Sequence, residues 1–558
     1  MMNLNARPIE KLDCFNAYIQ NTIQKYFNNT ALSDYNRESY TFGEIGYDIY
    51  KLHAGFKAIG IKAGDKIALL GKSSANWCKI YLATITYGAV IIPILPDFKP
   101  SDVHTIINHS ESILLFSEES IYKTLNLNEM QAISMAIRMK DYTLLESKDE
   151  GISNKFINAL DNFTKANPNG IKPKEIVFPK QNPDDLLVIS YTSGTTGFSK
   201  GVMLPERSLR GNIDFARKNM TMYQGEQILS ILPLAHAFGC TVEFLFPFTL
   251  GCHITFLARI PSPTIMIEAF EKVKPNLILA VPLIIEKIYT GKIKPILSKP
   301  FVKFILKIPI LRKLFFNKIK SKLTKTLGGK FRELVIGGAP LNPETEKFLK
   351  KIHFPFTVGY GMTECGPLIS YASWNTTVLH GSGKAVDEQT VRIDSPDPLN
   401  IAGEILLKGS HVMLGYYKNE EITKSVIDED GWLHTGDIGV LDKKGNIIIH
   451  GRLKNMILSS SGQNIYPEEI ESLLANYPLI SESLVVDRKN KPVAILYPNQ
   501  EYMQKHNIKK IDLHDKLEKI IKNVNENLPT YSQISNFEIK EDEFEKTPKR
   551  SIKRFKYQ

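Results

Sequence analysis

Y-T-S-G-T-T-G-F-S-K-G, residues Tyr191–Gly201, follows the apolar run Asp185–Ser190, which has the length and the branched side chains of a buried strand. Glycines in such a loop allow a tight turn and bring backbone N–H groups against an anion. The hydroxyls add donors, and Lys200 supplies a mobile positive charge for a terminal phosphate. The pattern predicts a phosphate-binding loop that differs from the Walker motif G-x-x-x-x-G-K-[ST]. Taken alone, it is also compatible with a flexible polar hairpin.

A second candidate phosphate site is the segment Val358–Glu364, V-G-Y-G-M-T-E. Tyr360 offers an aromatic face for a purine, and Thr363 offers a hydroxyl for an α-phosphate. Glu364 offers a hard oxygen ligand for Mg²⁺, and the ion is part of the prediction because a carboxylate beside a polyphosphate would otherwise be repelled. Farther along the chain, Asp437 can accept hydrogen bonds from two neighbouring ribose hydroxyls.

The segment Pro233–Gly239, P-L-A-H-A-F-G, contains the candidate residue His236. Phe244, Phe246 and Phe248 follow at once, and this apolar run predicts the wall of a hydrophobic pocket. A lone histidine is otherwise more often structural than functional.

Together these motifs resemble the signature segments of the adenylate-forming superfamily, which includes acyl-CoA synthetases, peptide-synthetase adenylation domains and luciferases. The order of the motifs is similar from about residue 40 to the C-terminus, and the overall layout is most similar to that of long-chain fatty acyl-CoA synthetases. The resemblance implies that the protein uses ATP and Mg²⁺ to convert a fatty acid to an acyl-adenylate, and then transfers the acyl group to coenzyme A.

The resemblance also implies roles for single residues. It places His236 beside the reacting carboxylate as a positioning group, and the turn Gly337-Gly338-Ala339 in the adenine pocket. It gives Arg452 a ribose or phosphate contact, makes Lys454 a hinge, and requires Gly462 where the pantetheine arm passes. The predicted nucleotide-binding and coenzyme-binding set is Thr192, Ser193, Gly194, Thr195, Thr196, Gly197, Lys200, Gly337, Gly338, Ala339, Gly359, Tyr360, Gly361, Met362, Thr363, Asp437, Arg452, Lys454 and Gly462. The predicted catalytic set is Thr363, Glu364, Lys200, His236, Lys549 and Lys553, and the predicted metal ligands are Glu364 and Thr195.

The C-terminal segment Glu545–Arg554 is similar to the family pattern K-T-x-x-G-K-I-x-R, but it departs from that pattern at two positions. Arg550 stands in place of the glycine, and Ser551 stands in place of the lysine that bridges the substrate carboxylate and the α-phosphate. Either adenylation is slow, or Lys549 or Lys553 takes the place of the missing lysine.

The positive charge of the chain is concentrated in one segment. The net charge is +11, yet residues 291–330 contain twelve Lys or Arg and no Asp or Glu, so the rest of the chain is close to neutral. The same segment carries Phe301, Ile305, Leu314 and Phe315 among its apolar residues. A basic apolar segment favours an anionic membrane surface, and a core-packing insert with a solvated lysine face is the alternative. Nucleic acid is not an expected partner.

The alternation of strands and helices predicts an α/β protein with helices covering both faces of its sheets. We expect a large N-terminal domain at residues 1–451, with a β-rich subdomain beginning near Gly403, and a small mobile α+β C-terminal domain at residues 452–558. No signal segment is recognised at the N-terminus, and the five cysteines lack metal-ligand spacing, so a cytoplasmic protein is expected, peripheral at the inner membrane face if the basic segment binds lipid.

Three hypotheses of function remain at this point. The first is a fatty acyl-CoA synthetase. In the second, the acyl group passes to the thiol of an acyl carrier protein. The third is a non-catalytic, membrane-bound lipid-sensing module that retains the fold, and its main support is Ser551. The residues leave the acyl chain length and the oligomeric state open.

Overall fold

The computed structural model describes residues 10–192, 200–257, 263–459, 463–547 and 551–558. Its α-helices are α1 Phe15–Lys25, α2 Phe42–Ala58, α3 Ala75–Tyr87, α4 Pro100–Ser110, α5 Glu119–Tyr122, α6 Glu150–Ala166, α7 Glu206–Asn219, α8 Phe246–Thr249, α9 Pro263–Val273, α10 Pro282–Ile288, α11 Lys294–Leu297, α12 Pro300–Ile305, α13 Pro309–Thr326, α14 Pro343–Lys351, α15 Glu420–Val426, α16 Pro467–Leu474, α17 Gln500–Lys505 and α18 Lys510–Asn525. Two π-helical turns, Gly239–Leu245 and Tyr289–Ile293, run directly into or out of these helices.

The strands are β1 Thr30–Asp34, β2 Ser39–Thr41, β3 Lys66–Leu70, β4 Val90–Ile94, β5 Leu114–Ser117, β6 Met135–Arg138, β7 Leu144–Ser147, β8 Leu186–Thr192, β9 Lys200–Pro205, β10 Gln227–Ser230, β11 His253–Phe256, β12 Leu277–Ala280, β13 Glu333–Ile336, β14 Phe356–Val358, β15 Tyr360–Gly361, β16 Leu368–Tyr371, β17 Lys384–Ala385, β18 Gln389–Asp394, β19 Gly403–Gly409, β20 Gly415–Tyr416, β21 Leu433–Leu441, β22 Ile447–Arg452, β23 Ile457–Leu458, β24 Asn464–Ile465, β25 Ile480–Asp487, β26 Pro492–Pro498 and β27 Asn536–Ile539.

Two large sheets form the N-terminal part. The eight-stranded sheet has the order β20-β9-β8-β4-β3-β5-β6-β7, and the seven-stranded sheet has the order β14-β13-β12-β10-β11-β1-β2. Their central strands are parallel and almost wholly buried, which fits their continuous apolar sequences. The predicted α/β class is therefore confirmed.

The sequence around Thr41 predicts the start of a helix, because Thr41 is a plausible N-cap and Glu44 follows three residues on, and α2 begins there. The Thr41 hydroxyl accepts from the backbone N–H of Glu44, and the Glu44 carboxylate accepts from the backbone N–H of Thr41. This reciprocal pair satisfies donors that the first turn of a helix otherwise leaves open. The uncharged run that begins at Ile80 contains Gly88 and Pro93, which predict that a buried helix ends within the run and a buried strand follows. The structure has the buried helix α3 followed by the buried strand β4.

The β-rich subdomain and the C-terminal part follow. The antiparallel sheet β18-β19-β21-β22 occupies the region where short strands are expected. Beyond it, β25-β26-β27 form a separate three-stranded sheet with α16 and α18 against it. A separate hydrophobic cluster, which includes Ile470, Leu496 and Leu517, fills this smaller unit. Among the described residues, no helix combines the length and the hydropathy needed to cross a bilayer.

Candidate functional site

The predicted phosphate-binding loop connects two antiparallel neighbours, β8 and β9. Thr192 pairs with Lys200 at the end of this hairpin next to the loop, so the two ends of the loop lie side by side. Gly201 is required next to Lys200 because a Cβ there would lie 2.8 Å from an Ile189 methyl group. Five of the residues assigned to this loop lie outside the described part of the chain: Ser193, Gly194, Thr195, Thr196 and Gly197.

The second phosphate segment lies beyond the carboxyl end of β14. Thr363 and Glu364 form a 3₁₀ turn that ends at Gly366, whose φ of 61° lies in the left-handed region. Gly361 must lack a side chain, since a Cβ would lie 2.2 Å from the carbonyl oxygen of Pro367. The turn is thereby fixed, and it leaves the Thr363 and Glu364 side chains half-buried.

Tyr416 joins these two segments. Its hydroxyl donates to Glu364 Oε1 over 2.8 Å, and the centroid of its ring lies 5.0 Å from Lys200 Nζ. Backbone pairing fixes this position, because β20 pairs with β9 and the Met413 N–H donates to the Glu364 carbonyl oxygen over 2.9 Å. The sequence-based prediction missed Tyr416, although the dipeptide Gly415-Tyr416 after a strand is a weak signal for such a position.

The predicted ribose site is a buried network. The Tyr360 hydroxyl donates to Asp437 Oδ2 over 2.6 Å, and Arg452 Nε lies 2.9 Å from Asp437 Oδ1. Burial raises the pKa of Asp437, while the charge of Arg452 and the Tyr360 hydrogen bond lower it. Because a carboxylate offers about four acceptor positions, these two contacts leave positions for ribose hydroxyls. Tyr360 therefore orients the acid, in addition to the aromatic role that its sequence position predicts.

The Gly337-Gly338-Ala339 turn follows β13 at the carboxyl edge of the sheet. The Phe238 ring packs against the backbone of Gly337, where an added Cβ would lie 2.9 Å from the ring. Gly338 has φ of 85°, which favours glycine. The histidine segment and this turn are therefore in direct contact through Phe238, a residue that the sequence analysis did not single out. Gly359, after β14, has space around its Cα, since a Cβ added there would lie 3.8 Å from the nearest atom, the Ser370 carbonyl oxygen.

His236 lies in the loop after β10, at the start of a helical segment. Its backbone carbonyl oxygen accepts from the Cys240 N–H over 2.9 Å, and its side chain is half-buried. The prediction that Phe244, Phe246 and Phe248 form a pocket wall is wrong, since all three are fully buried in the main hydrophobic core. The π-helical turn brings these rings inward.

A small cavity lies on the other side of this segment. Its volume is about 20 Å³, and its lining includes Leu234, Ala235, Ala237, Cys240 and Thr241. This volume is close to that of a single water molecule. Residues just before and after His236, not the later phenylalanines, therefore line an apolar space beside the histidine segment.

Several positively charged side chains lie close enough to Lys454 to repel it. Burial lowers the pKa of Lys454, and repulsion from Arg452, Lys200 and Arg554 lowers it further. Like charges in a partly buried site repel one another unless an anion lies between them. This cluster is therefore suited to a polyphosphate.

The C-terminal tail is held by ion pairs. Lys553 Nζ lies 2.5 Å from Glu545 Oε1, and hydrogen bonds from Lys553 and Lys556, together with their charges, lower the pKa of Glu545 to about 2. Arg554 makes a bidentate pair with Glu471, at 2.7 and 2.8 Å. The Ser551 carbonyl oxygen accepts from the Thr547 N–H over 2.8 Å. Lys549 and Gly462, which the sequence also proposes, lie outside the described residues.

The residues present fit a magnesium nucleotide. One oxygen of Glu364 is oriented by Tyr416, and its Oε2 atom has no hydrogen-bond or ion-pair partner within the described ranges. An oriented carboxylate with an open oxygen is a suitable Mg²⁺ ligand. The site thus combines Glu364, the cationic group around Lys454 and the ribose acceptor Asp437. The segment that carries Glu364 follows the carboxyl end of the parallel strand β14, a position where α/β proteins commonly bind ligands, whereas Asp437 and Lys454 come from the antiparallel β21-β22 pair and the turn after it.

Comparisons with known proteins identify the family of this chain. The family model "AMP-binding enzyme" matches residues 19–417, and the model "AMP-binding enzyme C-terminal domain" matches residues 454–558. The chain is 30% identical to the peroxisomal long chain acyl-CoA synthetase 6 of Arabidopsis thaliana, over 80% of this chain and 66% of that protein, just under two thirds of its length. It is 25% identical to the chloroplastic long-chain-fatty-acid–[acyl-carrier-protein] ligase AEE15 of the same plant, over 87% of this chain and 76% of that protein.

A solved structure shares the whole fold. The crystal structure of the anthranilate CoA ligase AuaEII in complex with anthranoyl-AMP superposes with a TM-score of 0.78 at 18% identity, covering 98% of this chain and 97% of that one. At this identity the likeness shows the fold alone. Because the first family model spans most of the sequence, the chain belongs to the AMP-binding enzyme family.

Proposed function

We propose that this protein is an AMP-forming ligase that activates a fatty acid with ATP and transfers the acyl group to coenzyme A. The observation that carries the proposal is that Glu364, the cationic group around Lys454 and Asp437 are linked by contacts: Tyr416 contacts both Glu364 and Lys200, and Arg452 pairs with Asp437 and repels Lys454. Similarity to long-chain acyl-CoA synthetases supports the fatty acid as the substrate class.

In the first half-reaction, an oxygen of the fatty acid carboxylate attacks the α-phosphorus of ATP, and pyrophosphate leaves with the electrons of the broken P–O bond. Bound Mg²⁺ would neutralise phosphate charge beside Glu364. Lys200 and Thr363 align the phosphates, and Asp437 with Arg452 holds the ribose. Most of the catalysis is alignment and charge stabilisation. His236 is proposed to position the carboxylate.

In the second half-reaction, the sulfur of coenzyme A attacks the acyl carbonyl carbon, AMP leaves, and the thiol proton is released. We propose that residues 452–558 rotate about Lys454 between the two steps, so that one pocket presents two sets of groups. The turn at Gly462 would then line the pantetheine passage.

The lysine that the tail contributes to adenylation is proposed to be Lys549. Lys553 is less suited to this role, because its Nζ atom is already paired with Glu545 within the small domain. Ser551 cannot supply the charge.

A second acceptor is supported by a specific relative. Similarity to a long-chain-fatty-acid–[acyl-carrier-protein] ligase favours a carrier-protein thiol as the alternative to free coenzyme A. Both acceptors present the same phosphopantetheine sulfur, so the first half-reaction is common to the two proposals.

The proposed place of action is the cytoplasm, at the inner face of a membrane. All five cysteines are buried free thiols, which fits a reducing compartment. Peripheral contact with lipid would give the enzyme direct access to fatty acids, which partition into bilayers.

The test is AMP release from ATP and Mg²⁺ with a panel of acids from short to long, each with coenzyme A, with phosphopantetheinyl carrier protein, or with neither. The proposal predicts AMP release that depends on a fatty acid and that is accelerated by coenzyme A. Faster release with the carrier protein would favour the second acceptor. Absence of acid-dependent AMP with every acid would overturn the proposed function.

A further inference from the structure

Helices α12 and α13 expose large apolar side chains. Phe301 is 73% exposed and Phe304 62% exposed, on one face of α12, and Ile310 is 73% exposed and Leu314 62% exposed, one turn apart on α13. Only three residues separate the two helices, which contact each other. These side chains therefore define one apolar surface, which we call the insert surface.

The opposite side of the same helices is anchored in the protein. Val302, Phe316 and Leu323 are buried, and Phe316 and Leu323 belong to the hydrophobic cluster that includes Phe348 of α14. The Phe316 ring packs edge-on against the Phe348 ring. The helices are thus folded parts of the N-terminal domain, and their outer apolar side chains are left without a covering element in the described part of the chain.

The insert surface belongs to a segment whose charged residues are all basic. Residues 291–330 contain no acidic residue. Ten of the twelve basic residues are exposed and have no ion-pair partner among the described residues: Lys292, Lys299, Lys303, Lys307, Arg312, Lys313, Lys318, Lys322, Lys325 and Lys330. By contrast, Lys294 lies at the base of the insert and pairs with Glu344 over 2.7 Å.

A shallow groove, lined mainly by residues with polar or charged side chains, lies along the C-terminal half of α13. Its volume is about 420 Å³, and it is lined by Asn317, Lys320, Ser321, Thr324, Lys325 and Gly329. Amide, hydroxyl and ammonium donors of this kind suit phosphate oxygens. The apolar half of the insert thus continues directly into a half that is suited to headgroups.

We propose that the insert surface docks this protein on an anionic lipid bilayer, with Phe301, Phe304, Ile310 and Leu314 entering the interface. Aromatic and aliphatic side chains interleaved with lysines match the two requirements of interfacial binding, namely apolar burial and attraction to anionic lipid. Protein interfaces, by contrast, are depleted in lysine. An acidic protein partner is therefore the less favoured occupant, and the test includes it.

This docking deepens the proposed function because it places the enzyme where fatty acids are dissolved. Lipid binding is nevertheless independent of the chemistry, so it is measured without ATP or acid. Exchange of pyrophosphate into ATP with a short, water-soluble acid then reports the chemistry separately.

The experiment is co-sedimentation with vesicles of phosphatidylcholine, with or without phosphatidylglycerol. The wild-type chain is expected to sediment with the anionic vesicles only. Each lysine near an anionic surface strengthens binding roughly fivefold, so Lys303→Glu/Lys307→Glu/Lys313→Glu should weaken the partition coefficient by about 100-fold or more. Phe301→Ser/Phe304→Ser, which leaves the charge unchanged, should weaken it by about tenfold or more.

The matched control is Lys516→Glu/Lys519→Glu/Lys522→Glu, which makes the same charge change on exposed residues of α18 in the small domain. It should reduce lipid binding far less than the insert variants, and all variants should keep soluble-acid exchange. The proposal fails if the wild-type chain does not sediment with anionic vesicles. It also fails if the control variant and the insert variants lose vesicle binding equally. It also fails if the insert variants bind vesicles normally but lose binding to an acidic carrier protein.

Discussion

Tyr416 lies between the two side chains that the phosphate chemistry is proposed to use, Glu364 and Lys200. Tyr416→Phe removes the hydroxyl that orients the carboxylate and keeps the ring beside Lys200. A hydrogen bond to a charged group contributes about 1.5–3 kcal/mol, so the Mg²⁺ concentration for half-maximal ATP–pyrophosphate exchange should rise about tenfold or more. Binding of AMP without metal, measured by calorimetry, should be unchanged.

The neighbouring residue provides the control for this prediction. The Tyr417 hydroxyl donates to the exposed Glu111 over 3.2 Å, away from the proposed metal site. Tyr417→Phe should leave the Mg²⁺ requirement unaltered. An unaltered requirement in Tyr416→Phe as well would show that Glu364 does not need this hydroxyl.

A second residue-scale prediction concerns Glu243 in the π-helical turn. Its carboxyl group accepts from the Ser230 hydroxyl over 2.8 Å and from the Leu232 N–H over 3.0 Å, and burial raises its pKa from 4.5 to about 8. Because the folded state holds this proton more tightly, the resulting stability is present below pH 4.5 and is lost as the pH rises through about 8. Glu243→Gln should remove this loss of stability at high pH, because an amide side chain does not titrate. Between these pH values, the Tm of wild type should fall by roughly 2–5 °C more than that of the variant; parallel pH profiles would contradict the prediction.

Some site residues can be predicted from the sequence and others cannot. Motif residues such as Thr363 and Asp437 stand out because their chemistry is readable in a short segment. Tyr416 does not stand out, since its role depends on the pairing of β20 with β9, more than two hundred residues apart in the chain. The inward packing of Phe248 likewise depends on contacts with Phe42 from a distant helix, which no local pattern reports.

Among the elements, the C-terminal tail departs from the family pattern at Arg550 and Ser551. Alanine substitutions at Lys549, Ser551 and Lys553 should separate a catalytic lysine from structural ones. Lys549→Ala should lower ATP–pyrophosphate exchange by about tenfold or more, because it removes the charge that is proposed to act on the α-phosphate. Lys553→Ala should have a smaller effect, since its partner is Glu545. If no variant alters exchange, the tail has no catalytic role.

Elements with strong local signals were predicted well. The sequence predicts a helix over Pro467–Leu474, and α16 has these bounds; it also predicts the N-cap Thr41, with Glu44 three residues on, and α2 begins there. The two π-helical turns were not predicted, because such short turns have no sequence pattern that distinguishes them from an ordinary helix. The edge strand β27 was also missed, since its residues Asn536–Ile539 are mostly exposed and lack a buried alternating face.

For the whole molecule, the two proposed half-reactions in one pocket require the small domain to rotate. Polar contacts join the two parts. Among them, the Asn342 side chain donates to the Ser472 carbonyl oxygen over 2.8 Å, and Lys294 donates to the Asn476 carbonyl oxygen over 3.0 Å. Contacts of this polar kind are compatible with domain movement.

Lys454→Pro tests that movement. Proline fixes φ and restricts the preceding residue, so the rotation should be hindered. We expect acyl-adenylate formation to continue and thioester formation in a single turnover to slow by about tenfold or more relative to Lys454→Ala, which lacks the same side chain but keeps the backbone free. Equal thioester rates in the two variants would argue against a hinge at this position.

The most direct test of the central claim is a crystal structure of the protein with ATP and Mg²⁺. We expect the ribose hydroxyls to lie within hydrogen-bond distance of Asp437 and the adenine to lie against the Gly337-Gly338-Ala339 turn. The phosphates should lie between Lys200 and Glu364. A nucleotide bound elsewhere, or a ribose that does not reach Asp437, would contradict it.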